Sequence, residues 1–176
     1  SFIALCILLF FVGLGIGMNP DMKKDIKSLS PRLALLPLAT ILGSWFGAVV
    51  AYLIMNIDLT SVLQHRSLND CLALNSGFAY YSLSSIFITE YRGSELGTIA
   101  LLANIIREMT TLLLTPLLAK WFGQLAPIST GGATTMDTNL QIITQTIGQR
   151  YVALSIYHGF VTDFSVPFLV TMWCML

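Results

Sequence analysis

The chain has 176 residues, of which 55% are hydrophobic and 10% charged, with nine Lys and Arg against nine Asp and Glu and a mean hydropathy of +0.77. A soluble domain carries roughly 25% charged residues because its surface must be wetted, so an ordinary soluble domain is excluded, as is the clustered basic face that nucleic acid would need. Hydrophobicity this high excludes disorder and leaves a membrane protein, with room for at most about six or seven helical crossings of about 20 residues each.

Six hydrophobic segments follow one another, which predicts an all-α integral membrane protein with about six transmembrane segments in a single domain over 1–176. The first, Phe2 to Met18, has no basic stretch before it and no small-residue cleavage site after it, so it reads as a span and not as a signal peptide. The chain opens on Ser within this run, which leads us to expect a trimmed start or an upstream portion. Asn19-Pro20 and the charged stretch Asp21 to Lys27 close the first segment. The second runs from about Leu33 to Met55, and the third, Leu68 to Thr89, is interrupted by polar residues. The fourth is Leu96 to Ala119, the fifth Ile128 to Ile147 and the sixth Val152 to Leu176.

Lys23, Lys24, Lys27 and Arg32 lie together between the first two segments, which orients that loop to the cytoplasm. If all six segments cross, Arg92 and Arg150 are also inside, Arg66 and Lys120 outside, and both chain ends face out. Gly13 and Gly17, like Gly43 and Gly47, lie four apart and offer small-residue faces for helix packing. Cys6, Cys71 and Cys174 are far apart in apolar runs, without a CxxC pair or a histidine at ligand spacing, so neither a disulfide framework nor a zinc site is expected.

Depth within a span selects the candidate functional residues. Arg107 and Glu108 fall at the centre of the fourth segment, where a charge facing lipid costs roughly 2.5 to 3.5 kcal/mol on insertion scales, so both must face protein or water. Neighbours on a helix point about 100° apart, which gives the two different partners. Asn104 is placed to sit beside either. Arg107 is always charged and suits the holding of a carboxylate or a helix, whereas Glu108 can carry a proton.

In the fifth segment only seven of twenty residues are aliphatic, Ala or Met, eleven are Ser, Thr, Asn, Gln or Asp, and two are Gly131 and Gly132. Such a stretch cannot face lipid, and a broken or re-entrant helix near Gly131-Gly132 is tolerated only where protein or a watery cavity surrounds it. A half-helix from Ala133 to Asn139, with Asp137 one turn in, would then aim its N–H groups at an anion. The alternative is a polar hairpin outside the membrane. Asn75-Ser76-Gly77 marks a further local break. His158 and Asp163 lie at depth in the last segment, five apart, and need not cooperate unless Gly159 introduces a bulge; His158 fits a satisfied core histidine. No metal spacing, phosphate loop or nucleophile elbow is present, so neither an enzyme nor a cofactor is expected. Glu108 and Asp137 at depth have the chemistry of a cation or proton pathway.

The strings SGFAYYSLSSIFITE (Ser76 to Glu90), Arg107-Glu108-Met109 before an apolar run with Pro116, STGGATTMDTNL (Ser129 to Leu140) and HGFVTDFSVP (His158 to Pro167) together resemble the LysO lysine exporter family. VGLGIGMN ahead of the basic loop adds to the likeness. The resemblance implies a bacterial or archaeal inner-membrane exporter of L-lysine, related to cation/proton antiporter folds with inverted repeats. It implies Glu108 and Asp137 as the two intramembrane acidic residues. Ser76, Gly77, Tyr81 and Ser82, with Asn104, Arg107, Gly131, Gly132, Thr135 and His158, are then expected to line the substrate site, while Asp163 departs from the family's pattern. Family members are longer at the N-terminus and some are split in two, so a partner polypeptide or a homo-oligomer is expected to supply the missing spans. The expected activity is lysine export by proton antiport. The alternatives are a Na+/H+-type antiporter and a non-transporting membrane subunit whose acids pair with Arg107.

Overall fold

The computed structural model describes residues 31–57 and 67–176, all in helices, turns and short connections. The first segment, the basic loop before Arg32, Cys6, Gly13, Gly17, Asp58, His65 and Arg66 lie outside the described residues. A single 3-10 turn, Pro31–Leu35, leads into α1, Leu36–Ile57. Then come α2 (Leu68–Asn75), α3 (Tyr81–Arg92), α4 (Ser94–Phe122) and α5 (Ala126–Gly131). A 3-10 turn, Gly132–Met136, precedes α6 (Leu140–Ile147), and another, Gln149–Tyr151, precedes α7 (Val152–Met175).

Among the described residues three helices are long and apolar enough to cross a membrane, those within Arg32–Met55, Ser94–Phe122 and Gln149–Met175. At 1.5 Å per residue, α1, α4 and α7 each exceed the roughly 30 Å of a hydrocarbon core. The third and fifth segments are different. Each is cut at its centre, and each returns to the end from which it came.

The first hairpin, α2–α3, begins at a capping box in which Ser67 Oγ accepts from Asp70 N and Asp70 Oδ2 accepts from Ser67 N, both at 3.1 Å. It ends at Arg92, whose Nη1 lies 3.7 Å from Asp70 and whose Nε donates to Cys174 O at 3.0 Å, close to the C-terminus of α7. The second hairpin, α5–α6, opens beside Gln124 and closes at Arg150, and these two hydrogen-bond at 2.8 Å. Tyr151 OH donates to Gln124 at 2.6 Å and Tyr157 OH to Ala34 O at 3.2 Å, so the starts of α1 and α7 and the end of α4 share that end. Lys120 and Arg150 therefore lie at the same end, and not at opposite ends as six crossings would require.

This architecture repeats itself upside down. A long helix followed by a hairpin, α1 with α2–α3, is succeeded by a second long helix and hairpin, α4 with α5–α6, pointing the other way. Both hairpins break at a Ser/Thr-Gly-x-Ala string, Ser76 to Ala79 and Thr130 to Ala133. Both leave through a glycine with φ above +90°, Gly93 and Gly148, into the next element. The tips meet midway, where Ala133 N donates to Phe78 O at 2.9 Å. A Cβ on Gly132, whose φ is +59°, would strike that same carbonyl, so the contact requires glycine twice over.

Two buried clusters hold the ends. Ile41, Ala73, Phe78, Ile88, Leu96, Val166 and Val170 pack around the first hairpin, and Ile128, Ile143, Ile147 and Leu154 around the second. Cys71 and Cys174 are buried in the interior as small apolar side chains. A Cβ on Gly43 or Gly47 would meet no described residue within 4 Å. α7 runs through Gly159 as unbroken helix; Gly159 instead lets the 3-10 turn approach, since a Cβ there would lie 2.7 Å from Met136 and 2.9 Å from Ala133 O.

Candidate functional site

Breaking a helix midway across a bilayer exposes backbone groups that must find partners within the protein. α4 supplies them for both hairpins from one face. Asn104, almost fully buried, accepts from Ala79 N at 2.9 Å through Oδ1, and its amide nitrogen reaches Leu74 O at 3.5 Å and Ser84 Oγ at 3.4 Å. One turn later Arg107 donates to Thr130 O at 2.9 Å, Ser129 O at 3.2 Å and Ser44 Oγ at 3.3 Å, with its guanidinium over the Phe78 ring. Those carbonyls belong to the last turn of α5, where orphan acceptors and the negative end of the helix dipole both favour a cation. Arg107 thus holds a helix end. Among the described residues it forms no ion pair with Glu108.

Glu108, the next residue, faces another way, as the helical angle predicts. It is half-buried, with the Thr138 hydroxyl in reach and Asp137 within electrostatic range. Asp137 and Thr138 are exposed and sit in the connection between the 3-10 turn and α6, with Asp137 Oδ1 accepting from Thr138 N. The half-helix expected to start at Ala133 starts instead at Leu140. Thr134 and Thr135 turn their hydroxyls back onto the carbonyls of Gly131 and Gly132 at 2.8 Å. This tightens the stretch into a 3-10 turn and puts Asp137 ahead of the α6 N-terminus.

The structure also brings Asp163, which departs from the family's pattern, within electrostatic range of Asp137. Asp163 is half-buried on α7. Tyr80, at the start of α3, feels both carboxylates. The spacing of Asp163 from His158 had hidden this, because its neighbours lie on other elements. Pro167, four residues on, lacks the N–H that would bond the Asp163 carbonyl in the helix.

The other expected lining residues divide. Tyr81 and Ser82 are exposed at the N-terminus of α3. Ser76 is fully buried, accepting from Trp45 Nε1 at 2.9 Å and donating to Leu72 O at 2.7 Å. Gly77 is pressed against the Asn104 side chain, and Gly131 against Thr135 and Thr111. Thr135 also donates to Ser155 O at 2.9 Å. His158 is fully buried between Thr40 Oγ1 at 2.9 Å and Thr135 Oγ1 at 3.4 Å, a satisfied core histidine tying α1 and the 3-10 turn to α7. Ser76, Gly77, Asn104, Gly131, Thr135 and His158 are thus engaged in contacts within the protein.

Comparison with known proteins places the sequence in a family. The family model described as "Lysine exporter LysO" matches residues 1–174. The lysine exporter LysO of Escherichia coli K12 is 31% identical over 166 residues, which are 94% of this chain and 52% of that protein. A putative lysine exporter of Haemophilus influenzae is 31% identical over 163 residues, 93% of this chain and 78% of that protein. The chain thus spans about half the length of the Escherichia coli relative. No solved structure matches it. The chain is a membrane protein and belongs to the LysO lysine exporter family, a family of transporters and not of enzymes.

Proposed function

We propose that the chain exports L-lysine across the bacterial or archaeal inner membrane in exchange for protons, with Glu108 and Asp137 as the groups that carry substrate and proton in turn. The observation behind this reading is that Glu108, on a spanning helix, lies within electrostatic range of Asp137, in the connection of a broken hairpin. The name of the Escherichia coli relative supplies the substrate. Lysine carries two ammonium groups and one carboxylate, so two acids and a helix N-terminus match its charges. The N-terminal turn of α3, where Tyr81 and Ser82 are exposed, receives the substrate carboxylate; Arg107 is already engaged by the carbonyls of α5.

Each carboxylate gives up its proton to take an ammonium group and regains one when the substrate leaves. The inverted pairing of long helix and hairpin supports alternating access of the kind seen in antiporter-like folds, in which one repeat rocks against the other around a fixed site. Arg32, Lys120 and Arg150 stand at one end with no Asp or Glu among the described residues there, whereas Asp70, Glu90 and Glu95 accompany Arg92 at the other. Positive charge marks the cytoplasmic side, so the second hairpin enters from the cytoplasm and the C-terminus faces out. Helices corresponding to the rest of the longer relative, on the same chain, on a partner polypeptide or on a second copy, complete the transporter.

In proteoliposomes loaded with labelled lysine, Glu108→Gln should abolish export driven by a proton gradient. Export at the unaltered rate would overturn the proposal, and proton release on adding Na+ but not lysine would identify a Na+/H+ exchanger instead.

A further inference from the structure

Between α4 and α6 runs an open groove of about 260 Å³, lined by Leu112, Thr138, Gln141, Ile142 and Gln145. Its inner end is the acidic site. Thr138 lies in reach of Glu108, and Leu112 stands one helical turn beyond Glu108 on α4. Its outer end is the basic end of the bundle, since Gln145 is in the last turn of α6, ahead of Gly148 and Arg150. Eight residues of α6 rise about 12 Å, close to half the thickness of a hydrocarbon core.

Gln141 and Gln145 are four apart and so share one face of α6. Both are exposed, and among the described residues neither amide hydrogen-bonds to another group. An amide taken from water into an apolar medium without a partner costs several kcal/mol. Two of them stacked on the inner half of a membrane hairpin must therefore meet water, a polar solute or another chain. The groove also carries no charge of its own, whereas both neighbouring stations do, Glu108 and Asp137 within and Arg150 outside.

We propose that this groove is the path by which a zwitterionic amino acid travels between the basic end of the bundle and the paired carboxylates. Each glutamine offers a carbonyl to an ammonium group and an amide N–H to a carboxylate, so both ends of the substrate are solvated in passage and neither is trapped by an opposite charge. The proposal rests on the transport reading given above and extends it by naming the route to the site. It also assigns the described conformation to a state open towards the end that carries Arg32, Lys120 and Arg150.

The test uses single cysteines at Gln141 and Gln145, in a background with Cys6, Cys71 and Cys174 replaced, together with a cysteine at the exposed apolar position Ile106 on α4. A membrane-impermeant, positively charged thiol reagent is applied to one face of oriented vesicles at a time. Both groove cysteines should react from the basic, cytoplasmic face only, at least tenfold faster than the cysteine at Ile106, and lysine should slow that reaction several-fold. Cysteines that stay unreactive in protein that still exports lysine overturn the path and show that another chain or helix covers the groove. Reaction indifferent to lysine, in such protein, overturns it as the substrate's route. Where no lysine is exported but another cationic amino acid slows the reaction, the groove stands and the substrate assignment falls. As a second variant, Gln145→Leu should lower export at limiting lysine about tenfold while leaving the Glu108 and Asp137 site intact, and an unchanged rate would count against the route.

Discussion

The two hairpins are built to the same plan and loaded differently. In the first, Ser76, Phe78 and Ala79 are fully buried, and both Phe78 and Ala79 adopt positive φ, 43° and 69°, which non-glycine residues rarely do. Its break runs only from Ser76 to Tyr80 and is closed by a neutral amide, Asn104. In the second, the break runs from Gly132 to Asn139, the positive φ is borne by a glycine, and the closing group is the Arg107 guanidinium. The three extra residues are what allow Asp137 and Thr138 to face outward while Thr134, Thr135 and Asn139 remain buried. A strained, apolar tip serves as an abutment, and a longer, polar tip leaning on it presents the charge. One tip is thus built for packing, and the other, under the proposed function, for chemistry.

The largest effects should therefore fall on the second tip. Asp137→Asn removes the charge and leaves the backbone contact with Thr138 available to the amide oxygen, so lysine counterflow should drop at least a hundredfold while yield and melting temperature stay near wild type. A comparable loss of folded protein would show that Asp137 supports the fold. Next comes Gly132→Ala, which meets the Phe78 carbonyl and sets a non-glycine residue at φ +59°. The unfavourable dihedral alone costs about 1 to 3 kcal/mol. Melting of the purified protein should fall by many degrees, whereas Gly43→Ala, with no described neighbour within 4 Å, should leave it unmoved or slightly raised. Equal behaviour of the two glycines would remove the tip-to-tip contact from the account.

The two closing residues on α4 separate the roles more finely. Arg107→Lys keeps the charge but cannot reach Ser129 O, Thr130 O and Ser44 together. Since α5 leads directly into the turn that positions Asp137, transport per folded molecule should fall about tenfold. Asn104→Ala leaves Ala79 N unsatisfied, at about 1 to 3 kcal/mol of stability, with a much smaller loss of transport per folded molecule. If Asn104→Ala were the worse transporter, the first hairpin would belong to the site as fully as the second.

Much of this could be read from residue order. The breaks at Asn75-Ser76-Gly77 and Gly131-Gly132 are visible because glycine beside small polar residues cannot continue a lipid-facing helix, and Glu108 and Asp137 are visible because charge at depth is costly. Whether a broken segment crosses or turns back was not visible. Composition is the same either way, and the answer lies in pairs far apart in sequence, Asp70 with Arg92 and Gln124 with Arg150. The same holds for Arg107, whose partners Ser44, Ser129 and Thr130 lie on other elements, and for Asp163, which spacing along its own helix set aside. Thr134 and Thr135 explain the misplaced start of the half-helix. Their hydroxyls compete for the carbonyls behind them, and no count of polar residues shows which of them will do so.

The smallest predicted effect tests whether the buried histidine belongs to the scaffold or to the chemistry. Thr40 Oγ1 lies 2.9 Å from His158 Nε2, linking α1 to α7. Thr40→Val keeps the shape and deletes the hydroxyl, and hydrogen bonds between membrane helices average about 0.6 kcal/mol. Melting should fall by a degree or two, with the rate of lysine export and its dependence on pH unchanged. Were His158 to shuttle protons, losing the partner that sets its tautomer would shift the pH profile of export far more than the melting temperature. A moved pH profile with an unmoved melting temperature would thus transfer His158 from the packing of the second hairpin to its site.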